Sequence, residues 1–270
     1  MSTVSLNEFF DMHCSPFSNT NPKFSKWFSK KELGLQQIMV SLIDQGSSFV
    51  LIGSPGVGKS TFIRDILSSL DNNDYISYLL PYSGFTRNGL LRSLADIMEL
   101  DIRGRTIPPL AKIQKHIFQL RNKSNLFPII VIDDAQELLD QSFSDLCSLL
   151  IDPVKGTTSC TMIFIGDQYL KQKLRLNVMS SIYSRMNVIL DLDTLTKEES
   201  FEFIFYRLQK AKAPKDLFDK SVLELISASC KGNRREILKK CTTLLLEAYR
   251  RQEQVVSAEI FHSCDLLKTG

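Results

Sequence analysis

Nowhere in the 270 residues does an apolar run approach the ~20 residues that cross a bilayer. A membrane-spanning helix is therefore not expected. The first ten residues lack a basic stretch followed by an apolar one, so no secretory signal is read there. Cysteine is scattered: Cys14, Cys147, Cys160, Cys230, Cys241 and Cys264 never form a Cys-x-x-Cys pair. Free, mostly buried thiols of a cytoplasmic protein are expected, and metal ligation by them is not. Excess charge of one sign is also missing, since 33 Lys and Arg stand against 30 Asp and Glu. That balance permits a nucleic-acid partner without asking for one. With 43% hydrophobic and 23% charged residues, the composition is that of an ordinary globular protein. The length suits one large domain or two smaller ones.

What the sequence does contain is Gly53-Ser54-Pro55-Gly56-Val57-Gly58-Lys59-Ser60-Thr61, which spells the phosphate-loop pattern G-x-x-x-x-G-K-[ST]. Phe49-Val50-Leu51-Ile52 before it suits a buried parallel strand. Phe62, Ile63, Ile66 and Leu67 after it recur at helical spacing. Strand, glycine loop and helix N-terminus together make an anion site, because glycines let the backbone turn tightly and the helix dipole favours negative charge. Lys59 is expected to reach the β- and γ-phosphates of ATP or GTP, and the Ser60 hydroxyl to hold Mg²⁺.

A second nucleotide signature lies downstream. Phe127-Pro128-Ile129-Ile130-Val131-Ile132 reads as a buried strand and ends in Asp133-Asp134. An acid at the carboxyl end of such a strand lies where ligands of open α/β sheets bind. Asp133 is assigned to Mg²⁺ and Asp134 to polarising the attacking water, with Gln136 in the same loop able to assist.

The rest of the chain alternates. Strands are expected at 75–80, 161–165 and 188–192, and helices at 33–44, 88–99, 110–123, from 168, and near 179–186. This is an α/β fold with a five-stranded, mostly parallel sheet. From Asp193 onward no strand signal remains. Helices are expected at 197–212, 220–230, 234–251 and 257–267, with Thr196 and Glu199 forming a capping box. Three regions result: an arm over 1–31, an α/β domain over 32–192 and a helical lid over 193–270. The arm carries Phe9, Phe10, Phe17, Phe24, Trp27 and Phe28, more aromatics than a disordered tail would hold, so it is expected to pack on the core. Between the second and third lid helices, Arg234 and Arg235 stand at a helix N-terminus, against the dipole. A ligand phosphate would offset that cost; a solvated arginine pair is the plain alternative.

These residues, in this order, resemble an AAA+ ATPase, and more narrowly the ExeA-like group. That group takes in general-secretion ATPases and the TniB-, TnsC- and MuB-type ATPases of transposons. Glu8-Phe9-Phe10 with Ser15-Pro16-Phe17-Ser18, Ile132-Asp133-Asp134-Ala135-Gln136-Glu137-Leu138, Phe164-Ile165-Gly166-Asp167-Gln168-Tyr169-Leu170, the stretch from Leu192 to Leu208, and Gly232-Asn233-Arg234-Arg235-Glu236-Ile237 carry the likeness. The resemblance implies ATP and Mg²⁺ as cofactors. It makes Asp167 or Gln168 the sensor of the γ-phosphate or the water. It makes Arg185 a finger entering a neighbouring subunit's site, and Arg235 a lid sensor of nucleotide state. Self-assembly into a ring or filament should then depend on ATP. One departure matters: the group's usual catalytic glutamate is here Asp134, one methylene shorter. A misplacement of ~1 Å can cost roughly 10²-fold in rate, so slow hydrolysis is expected.

Two functions fit the resemblance. One is regulation of DNA transposition, in which ATP-bound subunits assemble on double-stranded DNA, recruit a transposase or targeting protein, and disassemble on hydrolysis. The other is a secretion ATPase working with membrane partners. Secretion relatives continue into a transmembrane helix and an outer domain; this chain stops at Gly270 with neither, which leads us to expect the transposition role and no membrane partner. A switch ATPase in another pathway, such as phage defence, is a third reading. Candidate DNA contacts are Arg87, Arg92, Arg103, Arg105, Lys171, Lys173 and Arg175, with Arg87 first because the loop after the second strand lines DNA in filament-forming relatives. No motif reads base edges, so DNA binding should be largely independent of sequence and sensitive to salt.

Overall fold

A computed structural model of the chain describes residues 5–18, 26–81, 84, 86–102, 107–152, 155–176, 179–186 and 188–264. In chain order these form α1 (Leu6–Phe9), α2 (Lys30–Asp44), β1 (Phe49–Ile52), α3 (Lys59–Ser69), β2 (Tyr75–Pro81), α4 (Arg87–Ile97) and α5 (Pro109–Gln119). Then follow β3 (Phe127–Asp133), α6 (Asp140–Cys147), β4 (Thr161–Gly166), α7 (Gln168–Leu174), α8 (Ser180–Tyr183) and β5 (Val188–Asp191). Four further helices close the described chain: α9 (Lys197–Lys210), α10 (Lys220–Cys230), α11 (Arg234–Arg251) and α12 (Ala258–Ser263).

These elements divide into two compact units. One comprises Glu32–Ser54 and Lys59–Leu192; the other comprises Met1–Lys31, Pro55–Gly58 and Asp193–Gly270. The tip of the phosphate loop thus belongs to the helical unit, a grouping that local pattern does not reveal.

In the α/β unit, five strands among the described residues lie in the order β2-β3-β4-β1-β5. Every pairing is parallel, where the sequence reading had the sheet mostly parallel. Each residue of β1 and β4 is buried, as are all of β3 but Phe127, which explains their unbroken apolar runs. β2 is an edge strand and alternates more, and Pro81 sits at its last position, where a missing N–H does least harm. Burying a side chain such as Phe164 or Ile132 stabilises by roughly 2–3 kcal/mol, and more than two dozen buried residues form this core.

Some elements differ from expectation. The α-helix expected over 110–123 stops at Gln119 and continues as a π-helical turn, Leu120–Ser124, closed by Asn125 with φ +54°. Residues 140–147, to which the sequence reading assigned no element, form α6. The last helix spans Ala258–Ser263 with Ser257 as N-cap; residues 265–267 lie outside the described residues.

The helical unit is built on its own apolar core. The capping box of Thr196 and Glu199 is present and starts α9. The arm joins this core. Phe10, Met12 and Phe17 are buried in it. Phe9 meets Tyr249 edge-on, Phe17 meets Phe218, and Trp27 tilts against Phe203 at 5.5 Å. Phe24 lies outside the described residues. Buried Arg207 secures the arm further, its Nη1 donating to the carbonyls of Pro16 and Ser18 at 3.1 and 3.2 Å. Burial lowers the Arg207 pKa to about 10. All six cysteines are free thiols, five of them buried.

Candidate nucleotide site

The parallel sheet brings the carboxyl ends of β1, β3 and β4 to one edge, where open α/β sheets bind ligands. Ile52, the last residue of β1, pairs with Gly166, the last of β4. Asp133 ends β3 and is 7% exposed, so a carboxylate is held at the sheet edge almost out of water. Its Oδ1 accepts the N–H of Asp134 at 3.0 Å.

Asp134 itself is exposed and has φ +54°, the left-handed region that Asp tolerates better than most residues. Its Oδ1 accepts from Nε2 of Gln136 at 3.3 Å. The other end of that amide, Oε1 of Gln136, is buried and has no hydrogen-bond donor among the described residues. An unmet buried acceptor costs about 1–3 kcal/mol, so this position asks for a donor. Space is tight: a Cβ on Gly166 would lie 2.9 Å from that oxygen and 2.6 Å from Cδ2 of Leu170. At the tip of β4, Oδ1 of Asp167 caps α7 by accepting from the Tyr169 N–H at 2.9 Å, while Gln168 is exposed.

On the β1 side, the Gly53 N–H donates to the Gly166 carbonyl at 3.2 Å. Lys59 Nζ donates to the carbonyls of Gly53 and Ser54 at 2.7 and 3.3 Å. The Ser60 hydroxyl has no hydrogen-bond partner among the described residues. An alcohol oxygen and a carboxylate, Ser60 and Asp133, form a hard donor set of the kind Mg²⁺ takes with its water shell and phosphate oxygens.

The tip of the loop shows its own pattern. Gly56 and Gly58 have φ of +86° and +105°, which side-chain-bearing residues rarely adopt. The Pro55 carbonyl accepts from Asn233 Nδ2 at 2.7 Å, that of Gly56 from the Arg235 N–H at 3.1 Å, and that of Val57 from Arg234 Nη1 at 2.7 Å. Counted along the loop, the carbonyls of residues 53 to 57 all accept a hydrogen bond. By contrast, no acceptor among the described residues takes the N–H of Ser54, Gly56, Val57 or Gly58. A loop with its carbonyls tied and its amides open fits an anion.

Asn233 and Arg234 were not among the assigned site residues. The signal was the pair of arginines set against the α11 dipole. The structure separates that pair: Arg234 is half-buried and bonded to Val57, whereas Arg235 is exposed, with no side-chain partner among the described residues.

The other candidates are spread over the α/β unit. Arg185 is exposed, and its Nη1 donates to the Cys147 carbonyl at 3.3 Å. Arg87, the first choice for DNA, gives its fork to Asp145, with bonds of 2.6 and 2.7 Å that tie α4 to α6. Lys171 pairs with Asp191 at 3.0 Å, and Lys173 with Asp140 at 3.4 Å as well as with the Leu138 carbonyl. These three cations are therefore engaged within the fold. Arg92 and Arg175 are exposed, and Arg103 and Arg105 lie outside the described residues.

Residues 43–174, which hold the phosphate loop, Asp133 and the β4 tip, match the family model described as AAA domain. Over those residues the chain is an AAA-family P-loop ATPase domain. Over 256 residues the chain is 24% identical to the general secretion pathway protein A of Aeromonas hydrophila, covering 94% of this chain and 47% of that protein. It thus spans about half the length of the curated relative it matches. Its AAA+ fold is shared with the ORC2 protein of Aeropyrum pernix, solved as ADPNP–ADP complexes, at a TM-score of 0.71 with 13% identity, covering 94% of this chain and 71% of that one. The ORC1 protein of the same organism, solved with DNA, matches at 0.68 with 15% identity, over 92% and 69% of the two chains. The RuvB Holliday junction branch migration motor of Thermotoga maritima matches at 0.60 with 15% identity, over 90% and 73%. Among the described residues, no helix is long and apolar enough to cross a membrane.

Proposed function

We propose that this chain is an ATP-hydrolysing switch that regulates DNA transposition. In this reading ATP-bound copies assemble on double-stranded DNA, recruit or activate a transposase or targeting protein, and come apart on hydrolysis. The observation that carries the ATP switch is the phosphate loop with every carbonyl from 53 to 57 tied and its amides open. Lys59 leaves its carbonyl partners for the β- and γ-phosphates. Ser60 and Asp133 hold Mg²⁺, which supplies neutralisation of phosphate charge. Asp134, steadied by Gln136, orients the water, and its short side chain keeps turnover slow. Asp167 or Gln168 senses the γ-phosphate, Arg185 completes the site of a second copy, and Arg235 reports nucleotide state.

The DNA half of the proposal draws on the motif order from Glu8 to Ile237, which resembles transposon ATPases, and on two structures that share the fold, the ORC1 protein solved in complex with DNA and the RuvB Holliday junction branch migration motor. Electron microscopy with ATP, a non-hydrolysable analogue or ADP, each with and without duplex DNA, tests it. Rings or filaments that form on DNA only with a triphosphate, and DNA affinity that falls steeply with salt, are expected. A strict monomer in every state, with no DNA bound at low salt, overturns the proposal. A secretion role is the second reading, favoured by the Aeromonas relative. ATP turnover stimulated by membranes rather than by DNA would decide for it.

A further inference from the structure

We propose that Arg234 and Asn233 are positioning residues that set the phosphate-binding face of the loop. The inference rests on the reading of the loop as a nucleotide site and adds what keeps it open. In a trans peptide the C=O of one residue and the N–H of the next point in opposite directions. Anchoring the carbonyls of Pro55, Gly56 and Val57 therefore aims the N–H groups of Gly56, Val57 and Gly58 the other way. Those are the tip amides left without an acceptor.

A glycine-rich tip needs such anchors. With φ of +86° at Gly56 and +105° at Gly58, the peptide planes have little of their own to stop them turning over. One flipped plane would present a carbonyl oxygen to a phosphate in place of an N–H. The α11 start blocks this at three consecutive planes. It does so with Nδ2 of Asn233, the backbone N–H of Arg235 and Nη1 of Arg234. Asn233 is itself fixed, since its Oδ1 caps α11 by accepting the Glu236 N–H at 3.3 Å.

Arg234 is the strongest of the three. Its guanidinium lies 5.7 Å from the ring centroids of both Trp27 and Phe203, whose own centroids are 5.5 Å apart. Phe203 also stands under the guanidinium of Arg207 at 5.2 Å, the residue that binds the Pro16 and Ser18 carbonyls. A continuous series therefore runs from the amino-terminal arm through Arg207, Phe203 and Trp27 to Arg234 and the loop tip. The arm is part of what keeps the nucleotide loop in shape.

The test uses the full chain. Arg234→Met keeps an unbranched stem against the two rings and removes the donor to Val57. Because the tip amides hold phosphates common to ADP and ATP, the variant should bind both about tenfold more weakly, the size of losing one bond to a charged donor. KM for ATP should rise by a similar factor with kcat near that of the unaltered chain, since binding and not chemistry is touched. Asn233→Ser keeps an N-cap oxygen and loses the reach to Pro55. It should weaken ADP and ATP alike by about threefold to tenfold, and it decides alone if Arg234→Met does not unfold cooperatively. ADP affinity and KM within twofold of the unaltered chain overturn the inference. Failure of the unaltered chain to bind ADP or ATP overturns instead the nucleotide reading on which it rests.

Discussion

At the shoulder of the phosphate loop, Lys59 takes the carbonyls of Gly53 and Ser54. At the tip, Pro55, Gly56 and Val57 give theirs to Asn233, Arg235 and Arg234. The shoulder is fastened by a residue of its own motif, a few positions along. The tip is fastened by residues nearly 180 positions away, on a helix of the unit to which the tip itself belongs. In the proposed reading Lys59 leaves its carbonyl partners to bind phosphate, so the shoulder would exchange contacts when ligand arrives while the tip would keep its anchors. One half of the loop would then be a contact that is released, and the other a fixed frame.

The largest way to break this comparison is to unseat the frame. Gly232→Ala would place a Cβ 1.9 Å from the Leu195 carbonyl oxygen, at a φ of +72°. We expect a loss above ~4 kcal/mol in the helical unit, seen as a lowered or split thermal transition, with nucleotide binding gone. Next in size, Lys59→Met removes the shoulder contact and its charge. Nucleotide affinity should fall by about 100-fold, as for a lost hydrogen-bonded charge, while the melting temperature barely moves; titration beside a thermal melt checks both. Arg235→Met leaves its backbone N–H on Gly56 and removes only the exposed guanidinium. It should weaken ATP by about tenfold and ADP hardly at all, which separates it from its neighbour Arg234. The smallest effect lies outside the loop. Asp134→Glu should raise kcat a few-fold by lengthening the reach to water, held back by the left-handed turn at φ +54°, with affinity unchanged. No gain in single-turnover rate would remove the account of slow hydrolysis.

Much of the α/β unit could be read from residues. Ile129 to Ile132, a short β-branched run ending in two acids, reads as a buried strand once the phosphate loop precedes it, and the glycines before Lys59 read as a tight turn. The helix over 220–230 and that over 234–251 end where their periodicity ends. α6 escaped because Asp140 to Cys147 is mostly polar and short, and only packing identifies Phe143, Leu146 and Cys147 as its buried face. The π-helical turn at 120–124 escaped because its side chains continue a helical pattern while its backbone does not. In the site, the motif residues were legible because each carries its chemistry in its own type. Asn233 and Arg234 were not, since a bond to a backbone carbonyl leaves no trace in the identity of the acceptor. The same holds for Arg87, whose partner Asp145 is 58 positions away and is revealed only by the fold.

Trp27 is the single tryptophan of the chain, and it lies against the guanidinium that holds the loop tip. Indole emission responds to a nearby positive charge. The molecule therefore carries a built-in optical gauge at this spot, with no competing signal from any other residue of its kind. Any event that shifts Arg234 will be read as a change in fluorescence from one known position, without a dye.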